Sequence, residues 1–80
     1  MSATLQRLYQ IFASSLGISQ SQISDSLEYN TIKEWNSLAH MALVSAIENE
    51  FELMLDTDDI INMSSVGKAK TILNKYGVEF

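Results

Sequence analysis

Apolar residues recur at helical spacing in the first part of the chain. These residues are Leu5, Leu8, Ile11, Phe12 and Leu16. Because positions three and four apart share one face of a helix, the pattern predicts a helix from about Thr4 to Leu16. Gly17 is expected to end it, since glycine accepts the left-handed backbone conformation that follows many helices.

A second apolar series predicts the clearest helix, from Ser37 to about Phe51. The apolar side of this helix is expected to hold Leu38, Met41, Val44, Ile47 and Phe51. Either Asn36 or Ser37 can cap its first turn, because both side chains accept hydrogen bonds from exposed backbone amides.

The remaining chain divides into a short helix, a last helix and a long loop. A short helical turn is predicted after Asp56, and a last helix runs from a cap at Ser64 or Ser65 to Tyr76. Residues 18–36 show no sustained period. Their scattered apolar side chains indicate a loop that is packed by its own residues, with room for one short helical turn.

These elements predict an all-α fold: a four-helix bundle with three main helices, a short third helix and a long loop after the first helix. Residues 1–80 are expected to form a single domain, because a chain of 80 residues with a hydrophobic fraction of 46% can bury one modest core. Such a chain has little room for a catalytic cleft, so a protein without enzymatic activity is expected.

Acidic side chains are concentrated in the middle of the chain. The net charge is −5, and residues 34–67 hold seven of the ten acidic residues and no Lys or Arg. The seven are Glu34, Glu48, Glu50, Glu52, Asp56, Asp58 and Asp59. A negative surface repels phosphate backbones, so no nucleic-acid partner is expected. The acidic region is interpreted either as a solvated face or as a docking surface for basic partners.

Membrane and targeting segments are not predicted. The most apolar stretch, Leu38 to Ile47, is too short to span a bilayer and is interrupted by His40 and Ser45. The first residues lack the basic and apolar regions of a signal peptide. The sequence therefore predicts a cytoplasmic protein without membrane insertion.

Candidate metal and catalytic groups are few. Asp56, Asp58 and Asp59 lack the glycine and glutamate that a calcium loop requires, and the chain has no cysteine. His40 is the only histidine, so a site with several histidines is impossible. It follows Ser37 by three residues, but no orienting acid is nearby, so a nucleophilic pair is not expected. No metal site and no catalytic residue is predicted.

Ser37, at the start of the second helix, has two interpretations. A serine at this position is most often only a cap. A helix start also offers unpaired N–H groups and a partial positive charge. These features favour an anion there, such as a phosphodiester attached to the serine.

The residues around Ser37 resemble the acyl carrier proteins. Residues 35–38 (Trp-Asn-Ser-Leu), and the helix that continues to an acidic stretch and Phe51, are similar to the family's Asp-Ser-Leu motif and second helix. Residues 58–60 and 63–66 are similar to its short third helix and the start of its fourth. The resemblance covers nearly all of the chain.

The resemblance implies that Ser37 carries 4′-phosphopantetheine, attached from coenzyme A by a phosphopantetheinyl transferase. The thiol of this arm would hold an acyl group as a thioester, and acyl-loading and acyl-transfer enzymes would be further partners. The chain is then expected to be a stand-alone, monomeric carrier in a dedicated pathway, such as fatty acid, polyketide-like, lipid or glycan acylation. One alternative is an aminoacyl, D-alanyl or peptidyl carrier. An alternative of another class is an unmodified helical protein-interaction module.

The sequence departs from the family pattern at two points. Asn36 replaces the family's aspartate, which keeps a capping side chain but removes its charge. A literal Asp-Ser-Leu occurs at residues 25–27, but no amphipathic helix follows it. Ser26 is therefore interpreted as a loop residue, and Ser37 is the expected attachment site.

The outward side of the second helix is the expected docking surface for partner enzymes. A rotation of about 100° per residue places Ala39, Ala42, Ala46 and Asn49 away from the apolar side. The predicted docking set adds the residues beside the serine and the flanking acids, and comprises Asn36, Leu38, Ala39, Ala42, Ala46, Glu48, Asn49 and Glu50. Alanine is also simply a good helix former at surface positions. The functional hypothesis is docking through close apolar contact.

By analogy with the family, several positions are candidates for an acyl pocket. They are His40, Leu43, Ile47, Leu55, Ile60, Met63 and Ala69. The commoner explanation for each of them is the ordinary core, and for His40 it is a packed, partly buried histidine.

Overall fold

A computed structural model of the chain describes residues 2–80. Over these residues the chain forms four α-helices and one short 3₁₀ turn, with no β-strand. The elements are α1 (Ala3–Leu16), the 3₁₀ turn (Gln20–Gln22), α2 (Ser37–Phe51), α3 (Thr57–Asn62) and α4 (Val66–Lys75). The all-α prediction with a short third helix and a long first loop is confirmed.

The helix ends follow from local side-chain chemistry. Ser2 caps α1 by accepting a hydrogen bond from the Leu5 amide at 3.0 Å, so this helix begins one residue before the predicted Thr4. Gly17 ends α1 with a φ of 68°, in the left-handed region. Ser65 caps α4 through the Lys68 amide at 3.0 Å, which decides between the two predicted serines.

The hydrophobic core joins all four helices and the long loop. Its fully buried large side chains are Leu8, Phe12, Trp35, Leu43, Ile47, Met63, Val66 and Leu73. Trp35 is the only one of these that the loop contributes, and its ring meets that of Phe12 edge to face at 5.5 Å. This geometry is a favoured one for aromatic pairs. The end of the loop is therefore part of the core.

Backbone contacts fasten the middle of this loop to the start of α4. The Val66 amide donates to the Leu27 carbonyl at 3.1 Å, and the Gly67 amide donates to the Asp25 carbonyl at 3.0 Å. A Cβ at position 67 would lie 3.1 Å from the Asp25 carbonyl oxygen, so this close approach favours glycine. The apolar side chains of the loop are partly buried, as predicted, but they pack against the core of the bundle: Ile18, Ile23, Leu27 and Ile32.

The predicted buried side of α2 is only partly correct. The buried residues are Leu43, Val44 and Ile47, whereas Leu38 is 85% exposed and Met41 is 55% exposed. Apolar residues occur around most of this helix, so their spacing fits more than one face. Packing against α1 and the core buries the face that contains Leu43 and leaves the face that contains Leu38 uncovered.

Asp59 joins the short helix α3 to the end of α4. Its carboxylate accepts hydrogen bonds from Lys75 Nζ at 2.7 Å and from the Tyr76 hydroxyl at 2.6 Å. The Tyr76 oxygen in turn accepts from the Asp56 amide at 2.9 Å. The hydrogen bonds from Lys75 and Tyr76 hold the pKa of Asp59 below its ordinary value. Asp59 is thus more than the solvated first-turn acid that the sequence suggested.

The Asp59 contacts predict an acid-sensitive contribution to stability. Because the folded-state pKa lies below the unfolded value of about 3.9, ionised Asp59 stabilises the fold above that pH. This stabilisation is lost as the pH falls through the folded pKa. We expect Asp59→Asn to lower the free energy of unfolding near neutral pH, and the difference from wild type to shrink below about pH 4.

Urea unfolding from neutral to acid pH measures this difference. Asp58→Asn is the matched control, because Asp58 is an exposed acid on the same helix and lacks the contacts of Asp59 with Lys75 and Tyr76. A difference for Asp59→Asn that stays constant down to the lowest pH would contradict the ionic role of Asp59.

Candidate functional site

Ser37 is the first residue of α2, but Asn36 caps the helix. The Asn36 side-chain oxygen accepts from the Ala39 amide at 3.0 Å, and the Asn36 carbonyl accepts from the His40 amide at 2.9 Å. The exposed Ser37 hydroxyl is therefore not used as the cap. Its described contact is with Tyr29, whose hydroxyl donates to Ser37 Oγ at 3.4 Å.

The second serine in a similar motif lies in a different setting. Ser26 is in a turn, and its hydroxyl is 3.1 Å from that of Ser24. The preceding Asp25 forms an ion pair with Lys70 at 3.1 Å and accepts from the Tyr9 hydroxyl at 3.2 Å. Asp25 thus helps to attach the long loop to α1 and α4. Ser26 lies in the same turn, and no helix begins at this serine.

An apolar cleft of about 310 Å³ opens beside Ser37. It lies between α2, α3 and the long loop, and its lining residues are Tyr29, Ser37, His40, Met41, Ile60, Ile61, Met63 and Ser64. None of these residues is charged at neutral pH when His40 is neutral. The cleft can accommodate an apolar group attached to Ser37 or brought to it.

The predicted acyl-pocket residues divide into two groups. His40, Ile60 and Met63 line the cleft. Leu43, Ile47, Leu55 and Ala69 do not line it and are instead buried in the core. Leu43 and Ile47 lie deeper in the bundle because they are on the buried face of α2, and Ala69 is on the buried face of α4.

Four residues of the cleft lining were not predicted as part of the site: Tyr29, Met41, Ile61 and Ser64. Ser37 also lines the cleft and was predicted as the attachment site. The apolar spacing predicts Met41 on the buried side of α2, no role is predicted for Ile61, and Tyr29 reaches the site from a loop with no periodic pattern. The aromatic side chain in a polar loop was the available signal.

His40 connects the long loop to α3 across the wall of the cleft. Trp35 Nε1 donates to His40 Nδ1 at 3.0 Å, and His40 Nε2 donates to the Ile60 carbonyl at 2.9 Å. An indole N–H only donates and a carbonyl only accepts, so this arrangement requires a neutral ring with its proton on Nε2. Both ring nitrogens are engaged, and neither is directed at the Ser37 hydroxyl. His40 is partly buried, as the sequence suggested.

The outward face of α2 differs from the predicted one. Ala42 and Asn49 are exposed as expected, but Ala39 and Ala46 are partly buried. Ala39 packs against the core, and Ala46 lies in a groove beside α1. The exposed positions of α2 that share one face are Leu38, Met41, Ala42, Ser45 and Asn49. The predicted outward face is therefore correct at Ala42 and Asn49 and wrong at Ala39 and Ala46, and the exposed side chains of Leu38 and Met41 lie beside Ala42.

The two acids predicted for docking have structural contacts. A Glu48 carboxylate oxygen accepts from the Leu55 amide at 2.9 Å and so closes the turn between α2 and α3. The Glu50 carboxylate forms an ion pair with Arg7, whose Nε donates to it at 2.8 Å. The Arg7 guanidinium also lies 5.5 Å from the centre of the Phe51 ring. Charge changes at either acid would therefore disturb local structure as well as any docking.

Exposed apolar side chains surround the mouth of the cleft. Met41 and Ile61, which line it, are 55% and 69% exposed, and Leu38 beside Ser37 is 85% exposed. Large apolar side chains grouped on a surface are typical of contact sites. The mouth of the cleft is thus a candidate contact surface that includes the serine.

Comparisons with known proteins add no assignment to this geometry. No family model matches the chain, and a search of curated proteins finds no match. Within residues 2–80, no helix has the length and apolar character needed to cross a membrane. The same residues contain no group of three or more His, Cys, Asp or Glu side chains placed to hold a metal ion.

Because Asn36 caps α2 and Ser37 does not, substitutions of these two neighbours should lower the free energy of unfolding by different amounts. Asn36→Ala should lower the free energy of unfolding by about 1 kcal/mol, because it removes the cap of α2. Ser37→Ala should change it by less than half as much, since it removes only a long, exposed contact with Tyr29. Urea unfolding at neutral pH compares them, and a larger loss in Ser37→Ala would show that Ser37 is the effective cap.

Proposed function

We propose that the chain is a non-catalytic acyl carrier, with 4′-phosphopantetheine attached to Ser37 and acyl intermediates held on the arm as thioesters. The observation that carries the proposal is the placement of Ser37. Its hydroxyl is exposed, is not used as the helix cap, and lies at the lip of an apolar cleft. A serine that only capped a helix would have its hydroxyl bonded to a backbone amide, and it would need no apolar cleft beside it.

The start of α2 is a suitable place for the phosphodiester of such an arm. The transferase reaction joins Ser37 Oγ to the phosphorus that carries the pantetheine of coenzyme A and breaks the pyrophosphate bond. Adenosine bisphosphate leaves, and the hydroxyl proton passes to a base on the transferase. The product is an anion at the positive end of a helix of 15 residues. Asn36 maintains the cap without a second negative charge beside the phosphate.

The cleft supports an acyl cargo over an aminoacyl one. Its lining contains no Asp or Glu, so a cationic amine would find no charged partner there. Methylene groups would instead replace water against Met41, Ile60, Ile61 and Met63. The proposed carrier therefore serves a dedicated acyl pathway, and an aminoacyl, D-alanyl or peptidyl carrier is the second choice. As the sequence predicts, the proposed carrier is cytoplasmic and monomeric.

The exposed apolar mouth of the cleft is the proposed contact surface for the transferase and the acyl-handling enzymes. Leu38 is next to the serine that the transferase must reach, and Met41 follows one helical turn later. The alternative of an unmodified helical interaction module would use the same surface but would not need the serine. Modification of Ser37 therefore distinguishes the two functions.

Intact mass tests the attachment site. We expect incubation with coenzyme A and a broad-range phosphopantetheinyl transferase to add roughly 340 Da to the chain, which corresponds to one arm. Ser37→Ala should abolish the increase, and Ser26→Ala, in the literal Asp-Ser-Leu of residues 25–27, should leave it unchanged. No increase with several transferases would favour the unmodified interaction module.

The rate of modification tests the contact surface. Leu38→Gln should slow the transferase at least about fivefold, because it removes an apolar contact of roughly 1 kcal/mol beside the reacting serine. Met54→Gln is the matched control, since Met54 is 84% exposed and lies in the turn between α2 and α3. Both variants should keep the thermal stability of the wild type. Equal rates for the two variants would exclude Leu38 from the docking surface.

A further inference from the structure

The His40 bridge forms part of the inner wall of the cleft. The ring stacks on the indole of Trp35, with ring centres 6.1 Å apart, and the edge of Tyr29 meets it at 5.4 Å. Its two hydrogen bonds join Trp35 to the Ile60 carbonyl, and therefore join the loop and α2 to α3. Trp35 is fully buried, as are the core side chains of Leu43 and Ile47 farther along the helix. His40 and Met63, a fully buried core side chain that also lines the cleft, thus form the boundary between the cleft and the apolar core.

Two polar anchors determine the position of α3. One is the His40 bond to the Ile60 carbonyl, on the cleft side. The other is Asp59, which binds Lys75 and Tyr76 at the end of α4. A helix of six residues is not stable alone, so these anchors and the buried Met63 hold it against the bundle. Only the His40 anchor lies in the wall of the cleft.

We propose that the His40 bridge limits the depth of the cleft, and that the chain is consequently a carrier of short and medium acyl groups. This inference rests on the proposed function, and it makes His40 a specificity-determining residue. A cleft of about 310 Å³ has room for about ten groups of the size of a water molecule, which a medium-length acyl chain and its thioester would fill.

A longer chain would have to displace His40 or the fully buried Met63 to reach the core. Displacing Met63 would disturb the close packing of the core. Moving the ring would leave the Trp35 indole N–H and the Ile60 carbonyl without partners inside the protein, and a buried polar group without a partner is costly. The alternative for a long chain is to leave its outer carbons in water. Either way, carbons beyond the capacity of the cleft bring no further stabilisation.

Thermal unfolding of acyl-loaded protein tests this limit. The transferase would transfer the acyl-phosphopantetheine of butyryl, octanoyl or palmitoyl coenzyme A to Ser37, with release of adenosine bisphosphate, and intact mass would verify each product. In the wild type, the octanoyl form should unfold at least about 4 °C above the butyryl form, and palmitoyl should add nothing more. In His40→Ala, the unfolding temperature should keep rising from octanoyl to palmitoyl.

Two further variants distinguish a depth limit set by His40 from a general loss of packing between α3 and the bundle. Tyr76→Phe weakens the other anchor of α3 without touching the cleft, so it should lower stability but keep the wild-type dependence on chain length. His40→Gln supplies one acceptor and one donor and should restore the limit. A continued rise in Tyr76→Phe, or in the wild type itself, would overturn the proposal.

The imidazole nitrogens give a measurement that needs only the wild type. Their NMR shifts should report a neutral ring with the proton on Nε2 in the butyryl, octanoyl and palmitoyl forms alike, because no chain passes His40. A changed ring signal in the palmitoyl form would contradict the limit. Failure to load any acyl group would instead remove the proposed carrier function, and with it this inference, so the two failures are distinguishable.

Discussion

The burial of Trp35 is the interaction on which both the fold and the site depend. Its indole contacts Phe12 of α1, stacks on His40 of α2, and donates the hydrogen bond that orients the histidine towards α3. A tryptophan buried this deeply contributes several kcal/mol of apolar burial, and its N–H also requires a partner. Because the long loop ends in this residue, the loop is held in place, and Tyr29 within it stands beside Ser37.

Local patterns were sufficient to predict most of the fold. The ends of α1, α2 and α4 depend on residues within a few positions, namely Ser2, Gly17, Asn36 and Ser65, whose capping chemistry is readable in the sequence. The ordering of the loop was only partly readable, because it depends on backbone hydrogen bonds to residues about forty positions away. No period or composition records such contacts.

The site was predictable at its centre and less so at its edges. Ser37 could be located from its position at the start of a predicted helix. The outward face of α2 could not, because a helix that is apolar on several sides has no preferred face until its neighbours are in place. The roles of Glu48 and Glu50 were hidden for a related reason, since a carboxylate that closes a turn and one that meets solvent look identical in a sequence.

Asn36 caps α2, and Ser37 is therefore not needed to stabilise the start of the helix. A group joined to the Ser37 oxygen leaves the Asn36 cap and the first turn of α2 as they were. In the proposed function, the serine would therefore be present in unmodified and modified forms without loss of the helix cap. A partner that binds the surface around Ser37 would contact the same first turn of α2 in both forms, and only the group on Ser37 would distinguish them.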